Sequence, residues 1–255
     1  MLICIDAGHG RYTAGKRCLK SIDPQETREW VLNARIADKV QELLTGYNCK
    51  TMRVDDVTGE TDISLANRVK AVNKANADVY VSIHHNAGIS GRSGGGIVVF
   101  APTNGSETTY TLQQSVYEAT MANTGLKGNR SNPTPEKNWY VIANTRMPAI
   151  LGEFGFMDST TDTPVILTEE FADQVAHGIV EALVNTFGLE ETGMSYETWK
   201  QYMEQYRAEL ASQPATLTTH VKEAVDRGIT TGERPCDLAT REEVMAMVKN
   251  AIYGN

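Results

Sequence analysis

Long apolar runs are missing from this sequence. Nothing approaches the about 18 consecutive apolar residues of a membrane-crossing helix, so no bilayer-spanning segment is expected. Positive charge is short too: 24 Lys and Arg face 32 Asp and Glu, for a formal net charge of -8, and no basic cluster breaks that balance. Nucleic acid and anionic membranes are held by concentrated positive charge, so neither is expected as the main partner. Cys4, Cys18, Cys49 and Cys236 form no CxxC pair and no zinc-finger spacing, which leaves buried free thiols as the reading. The start, MLICIDAGHG, lacks the basic and apolar regions of a secretory leader. The expectation is therefore synthesis in the cytoplasm, or secretion with a leader already removed. Gly8-His9-Gly10 follows a strand, as a dinucleotide turn would, but Thr13 stands where the third glycine belongs and no P-loop lysine pattern exists. Nucleotide binding is not expected on that ground.

What is present is an ordinary globular composition, 41% hydrophobic and 22% charged, with strands and helices in alternation. Strands are expected at Leu2–Asp6, Cys49–Val54, Asp78–His84, Gly94–Ala101, Trp139–Ala143 and Ala149–Glu153. Helical periodicity marks Gln25–Leu44, opened by Asp23-Pro24 and closed by Gly46, then Ile63–Asn76 with Leu65, Val69 and Val72 inward. Glu107–Asn123 and Glu169–Phe187 complete the helices, the last capped by Thr168. Gly125–Asn138 is polar, rich in Gly, Asn and Pro, and reads as a loop. This alternation predicts an α/β fold: a central mixed, mostly parallel sheet with helices on both faces. Residues 1–187 form one domain on this reading, 188–194 (GLEETGM) a linker, and 195–255 a small all-helical C-terminal domain. That tail is small for independent stability, so it is expected to dock on the first domain or to form a homodimer through its helices.

Four residues carry the chemistry. His9 lies just beyond the first strand, Glu29 on the first turns of the first helix, His84 at the end of the central strand, and Glu153 at the end of a later one. In open α/β sheets ligands bind outside the carboxyl ends of the strands. Two histidines and a carboxylate are a common catalytic zinc set that leaves a position open, and a further carboxylate can act as general base. Singly each residue has a blander account. A strand-end histidine is usually structural, and a helical glutamate usually faces water. Glu153 sits in the apolar run Ala-Ile-Leu-Gly-Glu-Phe-Gly-Phe, where an unpaired carboxylate is costly; pairing with Arg146 or Arg130 would satisfy it. Asn86 serves either a ligand or its own loop.

The motifs resemble the zinc-dependent N-acetylmuramoyl-L-alanine amidases of bacterial autolysins and phage endolysins, from about Leu2 to Phe187. IDAGHG places His9 on that family's first zinc histidine, and Glu29-Trp-Val-Leu-Asn33-Ala-Arg-Ile36-Ala37 places Glu29 on its glutamate ligand. Ser64-Leu-Ala-Asn-Arg68-Val with Ala75-Asn-Ala-Asp-Val-Tyr-Val-Ser-Ile-His-His-Asn-Ala87 is the most specific stretch, and it places His84 on the second zinc histidine. Met147-Pro-Ala-Ile-Leu-Gly-Glu153-Phe-Gly-Phe156 matches the segment holding the catalytic glutamate. The departures are Arg11, where a second glycine is common, and His85, where a small residue is usual. His85 therefore competes with His84, although strand alternation sends the two to opposite faces; Glu26 competes with Glu29. The resemblance implies Zn2+ on His9, Glu29 and His84, Glu153 as base, and peptidoglycan as substrate and partner. It implies a cell-wall-degrading role, with the Gly88–Gly96 and Gly125–Asn138 loops bordering the substrate groove. Residues 223–243 loosely resemble part of an S-layer-homology motif, which implies wall binding by the tail. Two alternatives are a zinc amidohydrolase or peptidase acting on soluble peptides, and a wall-binding protein with a degenerate site.

Overall fold

The computed structural model describes residues 1–126, 128 and 130–192, together with 203–205, 208 and 226. By its contacts the chain divides into two units, Met1–Thr192 and Gly193–Asn255. The helices expected from Ser195 onward, the dimer they would form and the S-layer resemblance rest on residues outside that description, as does Cys236.

The first unit is built on five strands among the described residues: β1 (Leu2–Ala7), β2 (Lys50–Arg53), β3 (Val79–Asn86), β4 (Ile97–Phe100) and β5 (Ala149–Phe156). Their order is β2-β1-β3-β5-β4, parallel throughout except for β4, which runs antiparallel to β5. The central strands are apolar on both sides, as a sheet covered on both faces requires. Ile3, Ile5, Val81, Ile83, Ile150 and Phe154 face one core. It is closed by α1 (Glu29–Leu44), α3 (Glu107–Thr124) and α6 (Glu169–Phe187). Cys4, Tyr80, Val98 and Leu151 face the other, closed by α2 (Leu65–Ala75) and the one-turn α4 (Tyr140–Ala143). The short α5 (Thr163–Ile166), not foreseen in the sequence, adds Ile166 to the first core. The mixed, mostly parallel sheet with helices on both faces is thus the observed architecture.

Three local expectations need correction. Trp139–Ala143 is a helical turn and not a strand. Its consecutive Val141 and Ile142 both enter the second core, a demand that outweighs the β preference of a Tyr-Val-Ile run. The first helix starts at Glu29, later than Gln25, because Asp23 spends its carboxylate on the N–H groups of Gln25 and Thr27 in a preceding turn. Leu65 is 53% exposed at the mouth of α2, whereas Val69 and Val72 are buried as expected.

Residues after α6 also belong with this unit. Gly188 caps the helix in the left-handed region, Leu189 is buried, and Thr192 N–H donates to the Gly46 carbonyl at 2.8 Å. At the β4 edge the chain doubles back: Val99 and Ala101 donate to the carbonyls of Pro133 and Pro135, and Lys137 donates to Ala101. Gln113 of α3 fastens this segment through the carbonyls of Val99 and Pro135, at 2.7 and 3.1 Å.

Candidate active site

The carboxyl ends of β1, β3 and β5 lie side by side, and the four residues singled out in the sequence stand there. His84 is paired in register with Glu153, and Gly8 follows directly on the strand that pairs with Ile83. A Cβ at Gly8 would lie 2.0 Å from His84 Cε1, so only glycine lets the imidazole fold over the end of β1. His9 comes next, with φ of 68°. Its ring meets His84 edge to face, with centroids 5.0 Å apart.

Glu29, the first residue of α1, is 1% exposed and lies between the two histidines. Its Oε1 is 3.1 Å from His84 Nδ1 and accepts from the His85 backbone N–H at 3.3 Å. Its Oε2 lies 3.4 Å from His9 Nε2 and 3.6 Å from Lys16 Nζ, close enough for charge attraction, yet it completes no hydrogen bond. One donor atom each from His9, Glu29 and His84 lies within 4.8 Å of the others. A buried carboxylate oxygen without a partner, beside two imidazoles, is the donor set that a borderline divalent cation suits. Burial alone would raise the Glu29 carboxyl, but the contact with His84 and the attraction of the neighbouring His9 outweigh it and hold the group well below the usual carboxylate range. Burial likewise pulls His84 down, and Glu29 more than offsets this.

Glu153 lies in the same floor with Oε2 buried and unpartnered. Burial pushes its carboxyl up to about 7; His84 opposes that shift and Glu29 adds to it. Arg130 exerts only a distant lowering pull and stacks on Phe156 instead, at 5.4 Å. Among the described residues no ion pair joins Glu153 to Arg130 or Arg146.

The competitors fall elsewhere. His85 points to the opposite face, buried at 3%, with Nδ1 2.8 Å from Asn33 Oδ1. Asn33 gives its amide N–H to the Gly8 carbonyl at 3.0 Å, so the proton of this contact sits on His85 Nδ1. Burial pushes His85 down to about 3 and keeps it neutral. Glu26 pairs with Arg17 and Lys20 outside the cluster. Asn86 serves its own loop, accepting from Ala87 N–H and, through its carbonyl, from Met157.

A cleft of about 420 Å³ opens beside the cluster, lined by His9, His84, Asp62, Leu65 and Val141 among others. Among the described residues, neither the Gly88–Gly96 nor the Gly125–Asn138 loop lines it. Sequence reading overlooked Lys16, which has no motif around it, and the Asp62–Leu65 wall. The Ser64 cap on α2 was the available signal for that wall, since Ser64 Oγ accepts from Asn67 N–H.

Fold and site together define a class: an open α/β sheet with a partly buried two-histidine, one-glutamate cluster and a further half-buried glutamate at the strand ends. A family profile described as N-acetylmuramoyl-L-alanine amidase matches residues 3–185, and the chain belongs to that family. The sporulation-specific N-acetylmuramoyl-L-alanine amidase of Bacillus subtilis (strain 168) is 30% identical over 200 residues, 76% of this chain and 71% of that protein. The endolysin of Bacillus phage SPP1 is 28% identical over 193 residues, 74% of this chain and 67% of that protein. The crystal structure of an N-acetylmuramoyl-L-alanine amidase from Clostridium difficile 630 superposes with a TM-score of 0.66 at 29% identity, covering 73% of this chain and 96% of that one.

Proposed function

We propose that this chain hydrolyses the amide bond between N-acetylmuramic acid and L-alanine in bacterial peptidoglycan, with a zinc ion held by His9, Glu29 and His84 and with Glu153 as general base. The observation that carries the reading is the convergence of the three donors within 4.8 Å on a floor that also holds the unpartnered Glu153. Zinc held there supplies Lewis-acid polarisation of water and of the scissile carbonyl. Glu153 Oε2 takes one proton from the attacking water. As the carbon–nitrogen bond breaks, the same oxygen returns that proton to the departing alanine nitrogen, leaving a carboxylic acid on the muramic acid side and a free amine on the peptide. The cleft between Asp62–Leu65 and Val141 takes the chain flanking the bond. On this reading the first domain acts on the cell wall, and the tail, residues 195–255, serves wall binding or dimerisation.

The test is digestion of purified cell walls while following freed alanine amino groups and new reducing sugar ends. We expect amine release without reducing ends, abolished by a chelator and restored by zinc. Release of amino acids from soluble peptides but no amines from walls would reassign the substrate. Wall binding with neither zinc nor turnover would reduce the protein to a binding role.

A further inference from the structure

His9 adopts a left-handed backbone, φ 68°, a region that residues with a Cβ occupy only when their surroundings enforce it. Those surroundings are two buried side chains, each from a stretch other than the one that carries His9. Arg68 of α2, 1% exposed, donates from Nη1 to the Ala7 carbonyl at 2.9 Å and from Nη2 to the His9 carbonyl at 2.8 Å. Asn33 of α1, fully buried, donates to the carbonyl between them, that of Gly8, at 3.0 Å. Three successive carbonyls of the turn are thus held by side chains from opposite faces of the sheet.

Both clamps are themselves locked. Arg68 Nε donates to the Ile63 carbonyl, Nη1 also meets Asp6, and Nη2 also reaches Asp62 at 3.4 Å. All five N–H positions of the guanidinium therefore have an acceptor, and none is left for substrate, although the residue borders the cleft. Asp6 is fixed in turn by the hydroxyls of Tyr80 and Ser82. Asn33 is oriented by His85.

We infer that Arg68 and Asn33 are positioning residues that hold the Ala7–His9 turn in its left-handed form, so that His9 is aimed at the cluster before an ion arrives. The inference rests on His9 being a metal ligand. Neither residue is a donor in the cluster; both act through the backbone of the Ala7–His9 turn, Asn33 at the Gly8 carbonyl and Arg68 at those of Ala7 and His9.

The experiment compares zinc dissociation constants, read by competition with a chromophoric chelator, for the parent chain and for Asn33→Ala, Arg68→Lys and Tyr80→Phe, with folding followed by circular dichroism. The first two substitutions leave the local charge unchanged but remove clamps from the turn. Tyr80→Phe cuts one bond in the same buried network and leaves all three carbonyls held. We expect zinc binding to weaken by about 10-fold or more in Asn33→Ala and Arg68→Lys, with an altered visible spectrum of the cobalt(II)-substituted proteins, and to stay near the parent value in Tyr80→Phe. If Arg68→Lys does not fold, Asn33→Ala carries the comparison by itself. Parent-like affinity in a folded clamp variant, or an equal loss in Tyr80→Phe, overturns the inference and leaves the ligand assignment standing. Failure of the parent chain to bind zinc overturns the assignment and the inference together.

Discussion

At the scale of single residues, the proposed site turns on one glutamate placed to hold a cation and one placed to move a proton. Glu29 is kept charged by two imidazoles, while Glu153 is buried with nothing to neutralise it. Glu153→Gln is therefore expected to retain zinc, measured by atomic absorption, while amine release from cell walls falls by about 10²–10⁴-fold, the usual worth of a positioned acid–base. Gly8→Ala should act in the opposite order. The new methyl meets the His84 ring, so zinc content drops first and turnover follows, in a protein whose circular dichroism is unchanged. Three of the four proposed site residues were legible because each carries a mark in its own neighbourhood: a glycine-flanked histidine, a histidine ending an apolar strand, a charge inside an apolar run; Glu29 stood out only through the motif that runs from it to Ala37. Asn33 and Arg68 stand within the quoted motifs, but their task as clamps was not legible: they act on backbone carbonyls 25 and 59–61 residues away, and side-chain patterns carry no trace of a carbonyl partner. Strand alternation allows only one of His84 and His85 into the cluster, the motif resemblance selects His84, and the structure gives His85 a separate task on Asn33.

At the scale of elements, α6 was readable to the residue because local signals and tertiary demand agree. Thr168 accepts from Phe171 N–H, and Gly188 ends the helix in a left-handed conformation. Replacing that cap by Thr168→Ala should cost about 1 kcal/mol, seen as a lower urea midpoint. Where local and tertiary demands part, the sequence misleads, as at Tyr140–Ala143, whose apolar run is bent into a single turn over the second core. The contact of α6 with α3 offers a contest of signs. Alanine at position 178 would gain about 1 kcal/mol in helix propensity, but its Cβ would lie 2.8 Å from the backbone nitrogen of Thr120. Overpacking of that kind costs about 1–3 kcal/mol. Gly178→Ala should therefore destabilise the protein in denaturant unfolding, and a gain in stability would mean that α3 and α6 can move apart.

At the scale of the molecule, the proposed metal binding would be coupled to folding, because the candidate donors stand just after β1, at the start of α1 and in β3, and meet only when the sheet is assembled. A ligand that binds the folded state alone adds about 2.7 kcal/mol of stability at a hundredfold excess over its Kd. A chelator should accordingly lower the melting temperature of the parent chain and leave that of Glu29→Gln nearly unchanged, as scanning calorimetry would report. No described helix is long and apolar enough to cross a membrane. The returning segment along β4 has one more consequence. A sheet with open borders is a template on which other chains can add strands. Here one border is occupied by a stretch carrying Pro133 and Pro135, which have no N–H to offer a further strand, and the other is β2, only 4 residues long. Concentrated solutions of the first unit should thus resist fibril growth through sheet extension, and the same proline-bearing selvage would be the place to cut if such growth were wanted.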